Sequence, residues 1–193
     1  GFIKPDLAAP GQFILSGTSL EDETSLNQQY MTISGTSMAS PMVAGAAALL
    51  VQENPTLTAK DIKGILIGGV DKTVKGPRVE RQATPFETGS GRLNVLKSMQ
   101  LTAYAETANF ANNGCVITCT IPNALVSIED GEKTWTAAFE FDAHEGMISA
   151  TASPSTITVA EKGQRVDFDV KVNVSFDLPE NWYFGRLIWT SNT

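Results

Sequence analysis

Cysteine and histidine are almost missing from this chain: its 193 residues include two of the first and one of the second. Two sulfurs and one distant imidazole do not make a zinc ligand set. Positive charge is also scarce, with 14 Lys and Arg against 21 Asp and Glu and a formal net charge of -7. Nucleic acid binding needs a basic face, and docking on an anionic membrane surface needs basic clusters. Neither is expected, and the acidity reads as a device for solubility. No apolar run is long enough to span a bilayer. The first residues, GFIKPDLAAPG, lack the basic and long apolar regions of a secretory leader. The chain is expected to begin in the middle of a domain.

Cys115 and Cys119 are four residues apart. In an extended strand that spacing separates their Cα atoms by about 13 Å, whereas a disulfide needs less than about 7 Å. Val116, Ile117 and Thr118 are poor turn formers, so the spacing predicts two buried free thiols.

Hydrophobic residues make up 42% of the chain, enough for a real core. The two halves differ in pattern. Residues 1–102 are rich in Gly and Ala and carry helical runs, and residues 103–193 alternate with period two. In the first half, Tyr30 to Ile33 reads as a strand and Ser19 to Gln29 as a polar surface loop. Ser37 to Val51, SMASPMVAGAAALLV, is apolar on every side, the pattern of a helix buried in a core. Thr36 or Ser37 stands at the N-cap, and Pro41 falls in or just after the first turn, where proline is tolerated. A second helix is expected from Thr58, where Thr58 and Asp61 form a capping box, to Gly68-Gly69. A third is expected over Val95 to Leu101.

In the second half, Val166, Phe168, Val170, Val172, Val174 and Phe176 face one way, and the polar residues between them the other. That is a half-buried antiparallel strand. Trp135, Ala137, Phe139 and Phe141 repeat the pattern. Shorter strands are expected at Val116 to Ile121, Ile148 to Ala152, Ile157 to Val159 and Phe184 to Thr190. About seven short strands in this span predict a sandwich of immunoglobulin or fibronectin type. It is expected to fold alone from about residue 105.

The segment Gly35-Thr36-Ser37-Met38-Ala39-Ser40-Pro41 carries the chemistry. A serine hydroxyl is a weak nucleophile and needs a base and a place for the oxyanion. At the start of a helix, its own unpaired N–H and the positive end of the helix dipole meet the second need. Gly35 leaves room for a substrate backbone. The α/β-hydrolases prefer G-x-S-x-G with Asp and His after the serine. Here Ala39 replaces the second glycine, and the downstream histidine, His144, lies within the expected sandwich. A chymotrypsin-like barrel has no helix after its serine. The order Asp, His, Ser alone suits a chain with no partner residues after Ser37.

GTSMASP followed by VAGAAALL resembles the catalytic-serine signature of the subtilases, the subtilisin-like serine peptidases. Lys4-Pro5-Asp6-Leu7-Ala8-Ala9-Pro10-Gly11 resembles the segment that precedes it in that family. Gly89-Ser90-Gly91-Arg92-Leu93-Asn94 resembles the G-x-G-x-hydrophobic-N that opens the last catalytic-domain helix. The resemblance covers roughly residues 4–100. It implies the C-terminal portion of an α/β, parallel-sheet domain, followed here by an all-β sandwich. Pro154 to Val159 and Tyr183 to Ile188 are similar to the fibronectin-III-like domain that follows many subtilase domains.

The resemblance implies that Ser37 is the nucleophile of a serine endopeptidase and donates its backbone N–H to the oxyanion. Gly35 and Thr36 would line the substrate. The catalytic His, the Asp and an oxyanion Asn would come from upstream sequence, as would the rest of the fold, so this chain alone is expected to be inactive. The family usually has His where Met42 stands, but that His is not the catalytic base. A secreted, extracellular enzyme acting on polypeptides is implied, with no cofactor in this chain and calcium left to the intact enzyme. The alternative is a non-catalytic relative whose sandwich is a binding or spacer module. Asp6 and His144 read as loop residues and Glu21-Asp22-Glu23 as a solvated loop. Asn173-Val174-Ser175 reads as a chance match to the glycosylation triplet.

Overall fold

The computed structural model describes residues 3–17, 30–72, 74, 82–112, 114–142, 146–179 and 181–192. His144 and the acidic loop at 21–23 lie outside the described residues. In the first half, β1 (Ile14–Gly17) pairs antiparallel with β2 (Tyr30–Ile33), from Ile14 opposite Ile33 to Gly17 opposite Tyr30. Among the described residues four helices follow: α1 (Thr36–Glu53), α2 (Ala59–Gly68), α3 (Pro85–Thr88) and α4 (Val95–Met99). This half is a mixed helix-and-strand unit, and the sheet it supplies is an antiparallel ribbon.

Helix α1 runs through Pro41. A proline there cannot donate to the carbonyl four residues back, so the Ser37 carbonyl is left out of the helical ladder. Only Ala46 and Leu50 of α1 are buried, at 2% and 4% exposure. Met42, Leu49 and Val51 are exposed, so the all-round apolar helix is covered on one face only. Helix α2 starts as the sequence requires: Thr58 Oγ1 accepts from the Asp61 N–H, and the Asp61 carboxylate accepts from the Thr58 N–H at 2.7 Å. Its inward residue Ile65 has no exposed surface.

Among the described residues the second half holds seven strands: β3 (Ala103–Ala105), β4 (Thr118–Ser127), β5 (Lys133–Phe141), β6 (Ile148–Ser153), β7 (Thr156–Val159), β8 (Arg165–Val174) and β9 (Gly185–Ser191). They form two antiparallel sheets, ordered β3-β4-β8-β6 and β7-β5-β9. Leu125, Trp135, Ile157, Val159, Phe168 and Val170 fill the space between them. Phe168 and Trp189 meet edge to face with centroids 5.0 Å apart. The expected inward row along β8 holds as far as Val174. Phe176 departs from it at 78% exposure. The strand has already ended at Val174, opposite Ile148, and the Ser175 N–H donates to the Met147 carbonyl as the chain turns away.

Cys115 and Cys119 correct the expectation of free thiols: they form a disulfide with Cα atoms 5.4 Å apart. Strand β4 begins only at Thr118, and the chain bends at Val116 and Ile117. The extended spacing that argued against a bridge does not apply there. Loop-closure entropy for so short a loop is about 2 kcal/mol. The double change C115S/C119S is expected to lower stability by that order, measured by denaturant titration. A change indistinguishable from zero would mean the bridge does not hold this end of the sandwich.

The halves share a core. Tyr104 of β3 and Val126 of β4 pack with Ala46 and Leu50 of α1, Ile65 and Leu66 of α2, and Leu93. The Tyr104 hydroxyl donates to Asp61 Oδ1 at 2.6 Å. A segment cut at residue 105 therefore loses most of β3 and its link to α2. Polar contacts flank this core. Glu106 accepts from Lys60 of α2 at 2.5 Å and from Arg165 of β8 at 3.0 Å. Lys162 Nζ reaches Asn54 Oδ1 at 3.1 Å and Thr56 Oγ1 at 2.7 Å, just past the end of α1. Phe86 meets Trp182 and Phe184 edge to face.

The hydrogen bond from Arg165, then that from Lys60, holds Glu106 at a pKa of about 2. Lys97, Asn94 and Arg92 do the same for Asp71, also about 2. Both carboxyls are depressed on folding, so their contribution is complete above the unfolded carboxylate pKa of about 4. It is lost as pH falls from there toward 2. Stability is therefore expected to fall between about pH 4.5 and 2, and less steeply in Glu106→Gln. Identical pH profiles for the two proteins would show that the clasp does not form.

Candidate active site

Residue 35 begins the site. Gly35 is the N-cap of α1, not Thr36 or Ser37, and its backbone is extended at φ 164° and ψ 167°. Thr36 and Ser37 are the first two helical residues, and all three are exposed. The N–H groups of Met38 and Ala39 donate to the Gly35 carbonyl at 3.1 and 3.3 Å. Among the described residues no acceptor meets the Ser37 N–H. It points out of the helix end, where the dipole of α1, a helix of 18 residues, favours negative charge.

No side chain caps α1. Its start is held by backbone instead. The Gly35 N–H donates to the Gly11 carbonyl at 2.7 Å. A Cβ on Gly11 would lie 2.6 Å from the Gly35 carbonyl oxygen and 3.1 Å from Ala39 Cβ, so only glycine permits this approach. The segment ending at Gly11 also meets the third motif. Ala8 donates to the Gly91 carbonyl at 2.8 Å and accepts from the Leu93 N–H at 2.7 Å. Gly89, at φ 60°, would place a Cβ 2.2 Å from the Asp6 carbonyl. The three segments singled out in the sequence thus meet, with residues 6–11 lying between the other two.

Asp6 has a structural part. Its carboxylate pairs with Lys4 at 2.7 Å and Lys63 at 3.3 Å. Asn94 caps α4 by accepting from the Lys97 N–H at 3.1 Å, and its amide donates to Asp71. The Asn173 side chain accepts from Thr118 Oγ1 at 3.0 Å within the four-stranded sheet. Sequence reasoning missed Phe13 and Ser34. The Phe13 N–H donates to Ser34 Oγ at 2.8 Å, and Phe13 is at φ 52°. No local pattern announces that pairing, because the partners are 21 residues apart.

Among the described residues no group of acidic, Cys or His side chains is placed to hold a metal ion. No helix there is long and apolar enough to cross a membrane.

The subtilase family model matches residues 1–91, and a fibronectin type-III domain model matches residues 104–193. The serine protease AprX of Bacillus subtilis (strain 168) is 46% identical over 103 residues, covering 50% of this chain and 22% of that protein. The subtilisin-like protease SBT3.5 of Arabidopsis thaliana is 26% identical over 235 residues, covering 98% of this chain and 30% of that protein. The CO(2)-response secreted protease of the same plant is 34% identical over 108 residues, covering 51% of this chain and 14% of that protein. The chain thus spans less than a third of the length of these relatives.

Proposed function

We propose, from the match of residues 1–91 to the subtilase family model and of residues 104–193 to a fibronectin type-III domain model, that Ser37 is the nucleophile of a serine endopeptidase. Its hydroxyl gives its proton to the general base and attacks the scissile carbonyl; the peptide C–N bond breaks, the amine leaves with that proton, and water hydrolyses the acyl-enzyme that remains. The negative oxygen of the tetrahedral intermediate takes the Ser37 N–H as one donor, at the positive end of α1. Gly35 and Thr36 line the path of the substrate backbone. The observation that carries this reading is Ser37 itself, exposed in the first turn of α1.

The general base, its orienting carboxylate and the second oxyanion donor belong to sequence outside this chain. The same sequence covers the exposed apolar residues Met42, Leu49 and Val51 of α1. Covering them favours association, since each apolar side chain taken out of water contributes about 1.5–3 kcal/mol. The partners are a polypeptide substrate and the remainder of the protease, with no nucleic acid and no membrane. No cofactor is assigned within this chain, and any calcium belongs to the intact enzyme. The Cys115–Cys119 bridge supports an extracellular setting, because disulfides persist in oxidising compartments.

A fluorophosphonate probe tests the assignment directly, since it reacts with an activated serine and not with an ordinary one. In the intact protein it is expected to label Ser37 stoichiometrically. An unlabelled Ser37 in folded, intact protein would refute the reading.

A further inference from the structure

We propose that Ser34 is a positioning residue for the nucleophile, acting through its hydroxyl on the loop that carries Gly35, Thr36 and Ser37. The inference rests on Ser37 being the nucleophile. The chain has two residues, Ser34 and Gly35, between the end of β2 at Ile33 and the start of α1 at Thr36. The direction in which Ser37 leaves the sheet is set by those two residues.

Such a junction is usually fixed by an N-cap side chain accepting from the first turn. Gly35 cannot do this, and α1 has no side-chain cap. Two other hydrogen bonds take that place, both to the strand-side segment 11–13. The Gly35 N–H donates to the Gly11 carbonyl at 2.7 Å, and the Ser34 hydroxyl oxygen accepts from the Phe13 N–H at 2.8 Å. They continue the β1–β2 ladder beyond its last pair, Ile14 opposite Ile33. The second of them uses a side chain where a ladder would use a backbone carbonyl. Phe13 sits at φ 52°, the left-handed region that non-glycine residues rarely adopt. In that conformation its N–H meets the Ser34 hydroxyl.

The glycine that gives a substrate room also leaves the junction soft. Gly35 has full backbone freedom, so the loop needs an outside tether. A side-chain tether one residue ahead of Gly35 holds the loop without placing a Cβ in the substrate's path. Orientation of a nucleophile is worth much of its reactivity, and a displacement of about 1 Å can cost about a hundredfold. Loss of one of two tethers is expected to cost less.

The test uses the intact protease with Ser34→Ala, which removes the acceptor, and Ser34→Thr, which keeps it. In S34A, kcat on a peptide substrate and the rate of fluorophosphonate labelling are expected to fall together by about tenfold. KM is expected to stay within about twofold and the melting temperature nearly unchanged. S34T is expected to keep at least about half of the wild-type kcat, because its hydroxyl accepts the same bond. Wild-type kcat in S34A would overturn the proposal. So would a kcat loss shared equally by S34T, or one accompanied by an equal change in KM and a lowered melting temperature, since each points to packing rather than to the tether. The underlying reading fails separately: if Ser37→Ala keeps its turnover, Ser37 is not the nucleophile whatever Ser34 does.

Discussion

On the proposed role of Ser37, replacing it with alanine in the intact protein is expected to lower kcat by about a millionfold, a magnitude that belongs to subtilisin, the enzyme in which it was measured. The size of the effect follows from the chemistry. Without the hydroxyl there is no acyl-enzyme, and turnover falls to what the oxyanion donors and substrate binding achieve with water alone. The fold is expected to change little. Ser37 is exposed in the first turn of α1, and α1 takes its N-cap from Gly35 rather than from Ser37. Serine to alanine in the first turn of a helix also carries only a small propensity change. The check is kcat on a peptide substrate beside a thermal melt. A variant that kept even a tenth of its peptidase activity would sink the assignment. A variant that lost activity only because it melted would leave Ser37 without a demonstrated chemical role.

The second large effect concerns Tyr104. Its ring is 4% exposed and lies directly against Gly64, where a Cβ would come within 2.1 Å of Tyr104 Cδ2. Deleting a buried aromatic side chain costs about 3–5 kcal/mol. Tyr104→Ala is expected to lose stability on that scale in the intact protein, and Tyr104→Phe about 1–2 kcal/mol through its hydrogen bond to Asp61. Gly64→Ala alone drives a methyl group into the ring and is expected to be strongly destabilising. In the double variant the ring is gone, so the added methyl costs little and the two losses are less than additive. Chemical denaturation of the four proteins measures this. Strict additivity would mean that Tyr104 and Gly64 do not touch and that the halves are not joined through this core.

The period-two rows of β5 and β8 and the capping box of α2 were legible because each is a local pattern with one physical cause. Alternation places every second side chain between the sheets, and Thr58 and Asp61 satisfy each other's N–H groups within one turn. The apolar run after Ser37 announced a helix with equal clarity. Its N-cap was misplaced by one or two residues, because a glycine with extended backbone leaves no side-chain signature. The disulfide was misread for a related reason. The argument assumed that the strand already ran through Val116 and Ile117, where the chain in fact bends before β4 begins at Thr118. Strand ends depend on where the partner strand stops, and that partner, β8, lies more than fifty residues away at Asn173.

The sequence by itself carried the likeness of each half to a known family. The segments around Lys4, Ser37 and Gly89 carry the family resemblance, and the alternation after residue 103 carries the sandwich, because motif and period are properties of neighbouring residues. The tertiary structure alone decided how these pieces meet. It placed residues 6–11 between the other two motifs, packed Tyr104 of the sandwich against Gly64 of α2, and turned the Phe13 N–H onto Ser34. Those contacts join residues at least 21 positions apart, as Phe13 with Ser34, 21 apart, and Tyr104 with Asp61, 43 apart, illustrate. No periodicity spans such distances. They form because buried surface and backbone donors must find partners across the whole fold, and only the assembled fold specifies which.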